Sequence, residues 1–555
     1  MIPEQMYQEI LENKDFNDFN KLKLQLARKY KLKRIPKDSE ILFSLNAKDY
    51  QLLKNKFVIK PTRTISGVSP IGLFAKPARC PHGVCLFCCG GLNSYFGSVP
   101  QSYTGNEPGT RRAIRNHYDP YLQIMNRLEQ YIINNHNPDK TEIIIQGGTF
   151  LFFDKAYKEE FIMYIYKAMN DFSELFYKGG EFEFIKFKEY FELPSKIEDE
   201  SRIDRLHKKL LELKGISNLE YEKERNEKSK IRCVSLLIET KPDYGKLSHG
   251  NEMLEYGTTK VELGVQTIYD DVLKFTHRGH NLQDSIESIQ ILKDLGFKLN
   301  FHMMPGLPNV TKEQDINAFK EIFENPSYKP DMLKIYPCLV MPGTPLYRLW
   351  KLGKYKPIST EEAAEIICES KRFIPKFTRI DRVNRDIPTK YTSSGVDRTN
   401  LRQYVEIKLK EKGITCNCIR CREIKNHKIS GKIDFEIIEY EASSGKDFFI
   451  SLVDQAKYLI GFVRLRFPGQ FLRSEITENS ALIRELHVYG KAIPIGSHLS
   501  KVQHKGYGKI LMEKAEEISK DNQKDKMLVI SGVGVREYYK KLGYCLEGPY
   551  MIKFL

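Results

Sequence analysis

No segment of the chain stays apolar for the roughly 18 residues that a membrane span needs. The opening Met1-Ile-Pro-Glu-Gln-Met-Tyr-Gln also lacks the apolar core of an export leader. These absences argue against a membrane or secreted protein, so a cytoplasmic location with no membrane partner is expected. Internal repeats and low-complexity tracts are missing as well, which leaves ordinary globular domains. A third absence is local: residues 21–37 (KLKLQLARKYKLKRIPK) hold eight basic residues and no acidic one. Residues 1–79 carry 16 Lys and Arg against 8 Asp and Glu, half of the excess behind the net charge of +16. Such a block attracts a polyanion, with Lys29, Lys31, Lys33 and Arg34 as candidate contacts and Tyr30 and Phe43 nearby to stack on bases. A solvated basic helix face is the plainer alternative.

A length of 555 residues exceeds one hydrophobic core and calls for two or three domains. Residues 1–60 read as basic and helical. From 61 to 360, β-rich runs alternate with helical periods: Glu142–Thr149, Ile231–Thr240, Lys260–Thr267, Lys298–Met304 and Met332–Val340 are the strand candidates. Strands separated by helices such as Phe161–Phe176 and Leu282–Leu295 imply a parallel sheet curved into a full or partial barrel, with its site at the carboxyl ends of the strands. The charged stretch at about 195–230 reads as an inserted helical surface element. Residues 361–430 are helical and then Cys-rich, and 431–555 form a separate α/β domain of antiparallel texture.

Seven of the eleven cysteines fall in two tight clusters, which in a cytosolic chain read as metal sites rather than disulfides. In the first, Cys80, Cys85 and Cys88 offer three thiolates, which suits an iron–sulfur cube that keeps one iron open. A structural zinc would want four closed ligands. Cys89 adjoins Cys88, so the third ligand is open between them. In the second cluster, Cys416, Cys418 and Cys421 have zinc-ligand spacing. His427 is a candidate fourth ligand, and Cys338 and Cys368 are competitors or plain buried thiols. Further on, Gln503-His504-Lys505-Gly506-Tyr507-Gly508 follows a strand and opens a helix, where close-approaching backbone and helix N–H groups bind a pyrophosphate. Glu485, His487 and Val488 end the preceding strand, the first two as candidate general bases.

The first cysteine loop, with Gln146-Gly147-Gly148-Thr149-Phe150 at a strand end, resembles the radical S-adenosylmethionine (SAM) superfamily. That resemblance implies a TIM-like (β/α) barrel, full or partial, with a [4Fe–4S] cluster on Cys80, Cys85 and Cys88. SAM would chelate the open iron and be cleaved to a 5′-deoxyadenosyl radical. Gly147 and Gly148 match the segment that receives the SAM amino group, and Glu239, Gln266 and Met304-Pro305-Gly306 fall where SAM-lining residues are expected. The loop Gln503–Gly508 resembles the pyrophosphate loop of GNAT acetyltransferases, which implies acetyl-CoA. Tyr538-Tyr539 resembles that family's closing helix, with Tyr539 at the position that can protonate the departing thiolate.

Fused in this order, the two halves resemble the family of the Elongator catalytic subunit in its stand-alone archaeal form, from about residue 20 to 555. The resemblance implies addition of the methyl carbon of acetyl-CoA to C5 of the wobble uridine in the anticodon stem-loop of tRNA, giving a 5-carboxymethyluridine. Lys334, in Lys334-Ile-Tyr-Pro, is a candidate contact to substrate or SAM. One departure is Cys88-Cys89-Gly90-Gly91, where the family usually reads Cys-Pro-Gly-Gly. The rival reading is a protein lysine acetyltransferase with a structural iron–sulfur cluster. A homodimer and accessory subunits both remain open.

Overall fold

The computed structural model describes residues 3–13, 18–53, 57, 67–195, 199–425, 427–489 and 506–555. No described helix is long and apolar enough to cross a membrane.

Seven strands form one parallel sheet: β1 (Ser69–Phe74), β2 (Lys140–Gln146), β3 (Arg232–Thr240), β4 (Lys260–Gln266), β5 (Lys298–Met303), β6 (Met332–Ile335) and β7 (Arg379–Val383). Their spatial order is their chain order, and every neighbour is parallel. No pairing joins β1 to β7 among the described residues, so the sheet is a partial barrel with one open side. Apolar residues such as Leu236, Ile238, Val261, Leu263, Leu299 and Phe301 pack outward under helices that include Lys155–Phe176 and Leu282–Asp294. Every second residue points inward instead, and most of those are polar: Glu142 and Gln146; Lys260, Glu262 and Gln266; Lys298, Asn300 and His302; Lys334. β7 lies beyond residue 360, within the stretch read as the junction.

The amino-terminal helices Glu4–Glu12, Phe19–Lys29, Asp38–Leu42 and Ala47–Leu53 share the barrel's core. Phe43 is packed there against Phe184, with ring centroids 5.5 Å apart, and the Tyr30 hydroxyl is donated to Glu9; neither ring is free to stack on a base. The second sheet contains β8 (Asp434–Ala442), β9 (Gly445–Val453), β10 (Leu459–Phe467), β11 (Ser480–Val488), β12 (Lys526–Val529), β13 (Cys545–Glu547) and β14 (Tyr550–Phe554), in the order β8-β9-β10-β11-β12-β14-β13. β11 pairs with β12 in parallel only over Ser480–Ile483, and its remaining residues diverge from that neighbour.

This second domain docks beneath the amino ends of the barrel strands through buried ion pairs. Arg484 and Arg464 converge on Asp331, and Arg466 bridges Asp294 and Asp447, all at most 2% exposed. The 195–230 stretch is helical, as Glu200–Lys214 and Leu219–Lys228, but the second helix is a joint rather than a surface element. Its Glu227 accepts from Arg536 (3.0 Å) and Lys540 (2.8 Å) on the helix Arg536–Lys540 of the second domain.

Candidate active site

A single cavity of about 1740 Å³ runs from the first cysteine loop, through the barrel interior, to the second domain. Cys80, Cys85 and Cys88 line its upper end, whereas Cys89 is buried in the core behind. Among the described residues, Cys416, Cys418 and Cys421 bring their sulfurs within 4.8 Å of one another, and the first trio does not. Sulfurs about 2.3 Å from one tetrahedral ion must lie that close; a cube distributes its thiolates over separate irons. The two clusters therefore suit different metals.

Around the upper trio the chain supplies hydrogen-bond partners of both kinds. Cys88 Sγ lies 3.1 Å from Gln101 Oε1 and 3.6 Å from Ser102 Oγ. Cys85 Sγ lies 3.1 Å from His82 Nε2 and 3.5 Å from Arg278 Nη1. Lys241 Nζ, 2.9 Å from His82 Nδ1, can only donate, so Nδ1 accepts and Nε2–H faces the Cys85 sulfur. Burial, then the charges of Lys241 and Arg278, bring His82 down to about 4. Burial and the neighbouring sulfurs push Cys80 up to about 12, so thiolate there requires a cation. His82, Lys241 and Arg278 surround the sulfurs although sequence reasoning did not assign them a place there.

The residues present fit a polar ligand beside these sulfurs. Gly147 and Gly148 have φ of 113° and 102°, and a Cβ on Gly148 would stand 2.9 Å from Gln101 Cβ, so glycine is required. Gln266 Oε1 and Thr149 Oγ1 line the cavity, buried without a hydrogen-bond partner. Glu239 accepts from Gln146 Nε2 at 2.9 Å, and burial together with nearby Glu262 raises its pKa. Lys334, expected to contact substrate or SAM, is tied at 2.5 Å to Glu262, which also accepts from His302 and Asn300, each at 3.0 Å. Burial opposes ionisation of Glu262, but Lys334 and His302 outweigh it and hold the carboxyl well below the usual range. Glu262 and these partners come from three different strands, so no local spacing announces them.

At the lower end Glu485, His487, Val488, Gly506, Tyr507, Gly508, Tyr538 and Tyr539 all line the same cavity. Glu485 is paired with Lys298 and, at 2.9 Å, with Arg464 Nε. Burial disfavours its charge, yet these cations bring it down to about 2, which makes it a neutralised counter-ion rather than a base. His487 is brought down to about 4 by burial, and its Nε2 has no hydrogen-bond partner. Gly506, with φ of 81°, is the N-cap of the helix Tyr507–Asp521, whose first-turn N–H groups receive no side-chain cap. A Cβ on Gly508 would stand 2.7 Å from the Tyr538 hydroxyl. Tyr539 is buried, and that burial raises its pKa. Gln503, His504 and Lys505 lie outside the described residues.

His427 is not gathered with Cys416, Cys418 and Cys421: its ring stacks on Tyr458, with centroids 4.4 Å apart. Lys371 Nζ lies 3.4 Å from Cys416 instead, and Cys421 is exposed. In the basic segment Lys29 pairs with Glu9 and Arg34 with Glu40, each at 2.6 Å, while Lys31 and Lys33 are exposed. Its free charge is therefore smaller than the run of basic letters implies.

Four family models match the chain: ELP3 N-terminal domain over residues 2–65, Radical SAM superfamily over 77–322, Radical_SAM C-terminal domain over 330–411, and Acetyltransferase (GNAT) family over 420–544. The chain is 44% identical over 531 residues to the tRNA uridine(34) acetyltransferase of Methanocaldococcus jannaschii, covering 94% of this chain and 90% of that protein. It is 40% identical over 552 residues to Elongator complex protein 3 of Saccharomyces cerevisiae, covering 97% and 92%. The solved structure of Methanocaldococcus infernus Elp3 with an amino-terminal deletion superposes with a TM-score of 0.72 at 38% identity, covering 89% of this chain and all of that one.

Proposed function

The chain belongs to the Elongator complex protein 3 family, an acyltransferase family with radical SAM chemistry, and from that premise we propose that it joins the acetyl carbon of acetyl-CoA to C5 of uridine 34 in tRNA. The observation that supports this is the shared cavity: the cysteine trio is at one end and the Gly506–Gly508 turn at the other. A base bound between them meets both chemistries without leaving the protein.

Cys80, Cys85 and Cys88 would hold the [4Fe–4S] cluster, with Gly147, Gly148, Glu239 and Gln266 lining SAM beside it. Bound there, cluster and SAM supply the agent that removes hydrogen from an unactivated methyl group, which acid–base side chains cannot do. Gly506–Gly508 and the helix behind them would receive the CoA pyrophosphate, and the Tyr539 hydroxyl, kept protonated by burial, would protonate the thiolate that leaves as water adds to the acyl carbon to give the carboxylate. His487, neutral and with an Nε2 that has no hydrogen-bond partner, is the better base candidate than Glu485. Lys334 would hold Glu262 rather than contact substrate. Cys416, Cys418 and Cys421 would bind a structural zinc. The basic segment, through Lys31 and Lys33, would add phosphate contacts.

The test is anaerobic incubation of reconstituted protein with tRNA, SAM, acetyl-CoA and reductant, followed by mass spectrometry of the nucleosides. Carboxymethylation at position 34 that requires all four additions is the expected result. Acetylation of a lysine peptide with no need for SAM or reductant, and no modified uridine, would replace this reading with that of a protein acetyltransferase.

A further inference from the structure

The open side of the barrel has β7 as one lip, and two guanidinium groups sit on it. Arg402 Nη2 and Arg420 Nη1 both donate to the same acceptor, the backbone carbonyl of Asp381, at 3.5 and 3.4 Å. Both side chains line the cavity. Neither forms an ion pair with a carboxylate among the described residues, in a chain where Arg379 and Arg382 beside them do, with Glu423 and Asp386. Two guanidinium groups carry ten N–H donors, and one carbonyl oxygen accounts for few of them. Exposed Lys425 lines the cavity close by in sequence. Like charges held together without a counter-ion favour an anion with several acceptor oxygens.

Arg420 stands between two of the clustered thiols, in Cys418-Ile419-Arg420-Cys421, within the short helix Ile419–Arg422. An ion held by Cys416, Cys418 and Cys421 therefore fixes the backbone from which Arg420 projects. We propose that Arg402 and Arg420 form a phosphate clamp at the mouth of the cavity, held in place by the zinc-binding trio, which grips a phosphodiester of the RNA whose base enters the barrel. This rests on the RNA-modifying function proposed above and assigns that substrate's backbone a place. The phosphates of CoA are the other source of the same anion chemistry. RNA is favoured because the pair sits on the barrel's open edge, on Asp381 of β7, while the pyrophosphate-type turn at Gly506–Gly508 belongs to the other domain.

The test uses full-length, zinc-loaded protein, comparing wild type with Arg402→Gln/Arg420→Gln. Binding of a tRNA is measured against salt concentration, binding of acetyl-CoA by calorimetry, and zinc by colorimetric release. The double variant should lower the slope of log K against log salt by about 0.7–0.9, the value for one lost phosphate contact, with zinc content and acetyl-CoA affinity unchanged. Removing zinc from the wild type should lower the slope by the share that belongs to Arg420, and Arg420→Lys should keep the slope while weakening the grip. An unchanged RNA slope at equal zinc content would overturn the clamp, as would weakened acetyl-CoA binding with RNA binding intact. A wild type with no affinity for tRNA would instead overturn the proposed function itself.

Discussion

Replacing Glu485 with glutamine tests how the two domains are held at their shared cavity. Its carboxylate lies between Lys298 of the barrel and Arg464 of β10, with the side chain only 10% exposed. A carboxyl held at about 2 rather than its ordinary 4.5 stabilises the fold by about 3 kcal/mol at neutral pH, at about 1.4 kcal/mol per tenfold change in proton affinity. Breaking a buried pair and stranding its cations costs a similar amount, about 3–5 kcal/mol. Because the folded-state value is depressed, the contribution is fully present above the unfolded value near 4.5 and is lost as pH falls from there towards 2. Glu485→Gln should therefore lower the melting temperature at pH 7 by about 3 °C, the shift that about 3 kcal/mol gives a chain of 555 residues, and the gap from wild type should narrow in acid. Differential scanning calorimetry at pH 7 and at pH 4 measures both. Equal melting temperatures at pH 7, or a gap that widens in acid, would refute the assignment of Glu485 as an interdomain counter-ion.

Cys85→Ser should abolish the iron–sulfur absorbance and uridine modification while tRNA affinity stays within about twofold; modification that survives would remove the cluster from the chemistry. Replacing Lys31 and Lys33 by glutamine should flatten the salt dependence of tRNA binding, whereas replacing Lys29 and Arg34, which already face Glu9 and Glu40, should change it less; filter binding across a salt series separates the pairs. A chelator should release one equivalent of zinc per chain and lower the melting temperature, and His427→Ala should leave that stoichiometry unchanged because its ring stacks on Tyr458 instead. Gly148→Ala should weaken SAM binding more than tenfold, since both its φ of 102° and the 2.9 Å approach to Gln101 reject a Cβ.

Much of the fold was legible because its signals are local. Five of the seven barrel strands stand out as β-rich runs between helical periods, and the antiparallel texture read after residue 431 corresponds to the second sheet. Two barrel strands were not. Ser69–Phe74 (SPIGLF) is short and interrupted by proline and glycine. Arg379–Val383 (RIDRV) resembles a surface segment because its Arg379 and Asp381 line the polar interior. The same contrast holds at the site. Thiolate ligation and pyrophosphate binding need groups a few residues apart, so both loops were readable. The Glu262 cluster, the Lys241–His82–Cys85 chain and the arginine pair bring together residues tens to more than a hundred positions apart. His427 misleads for the same reason: its neighbours in sequence suggest a ligand, but folding stacks its ring on Tyr458.

In the proposed reaction one cavity lets a hydrogen leave the acetyl methyl group while that group's carbon is delivered to uridine. Acetyl-CoA deuterated at the methyl group, incubated with tRNA, SAM, reductant and the reconstituted protein, tests it directly. Deuterium should appear in the 5′-deoxyadenosine produced, and the modified uridine should retain two deuterons on its new carbon. Deoxyadenosine free of deuterium, beside a uridine that has gained the acetyl carbon, would contradict the account.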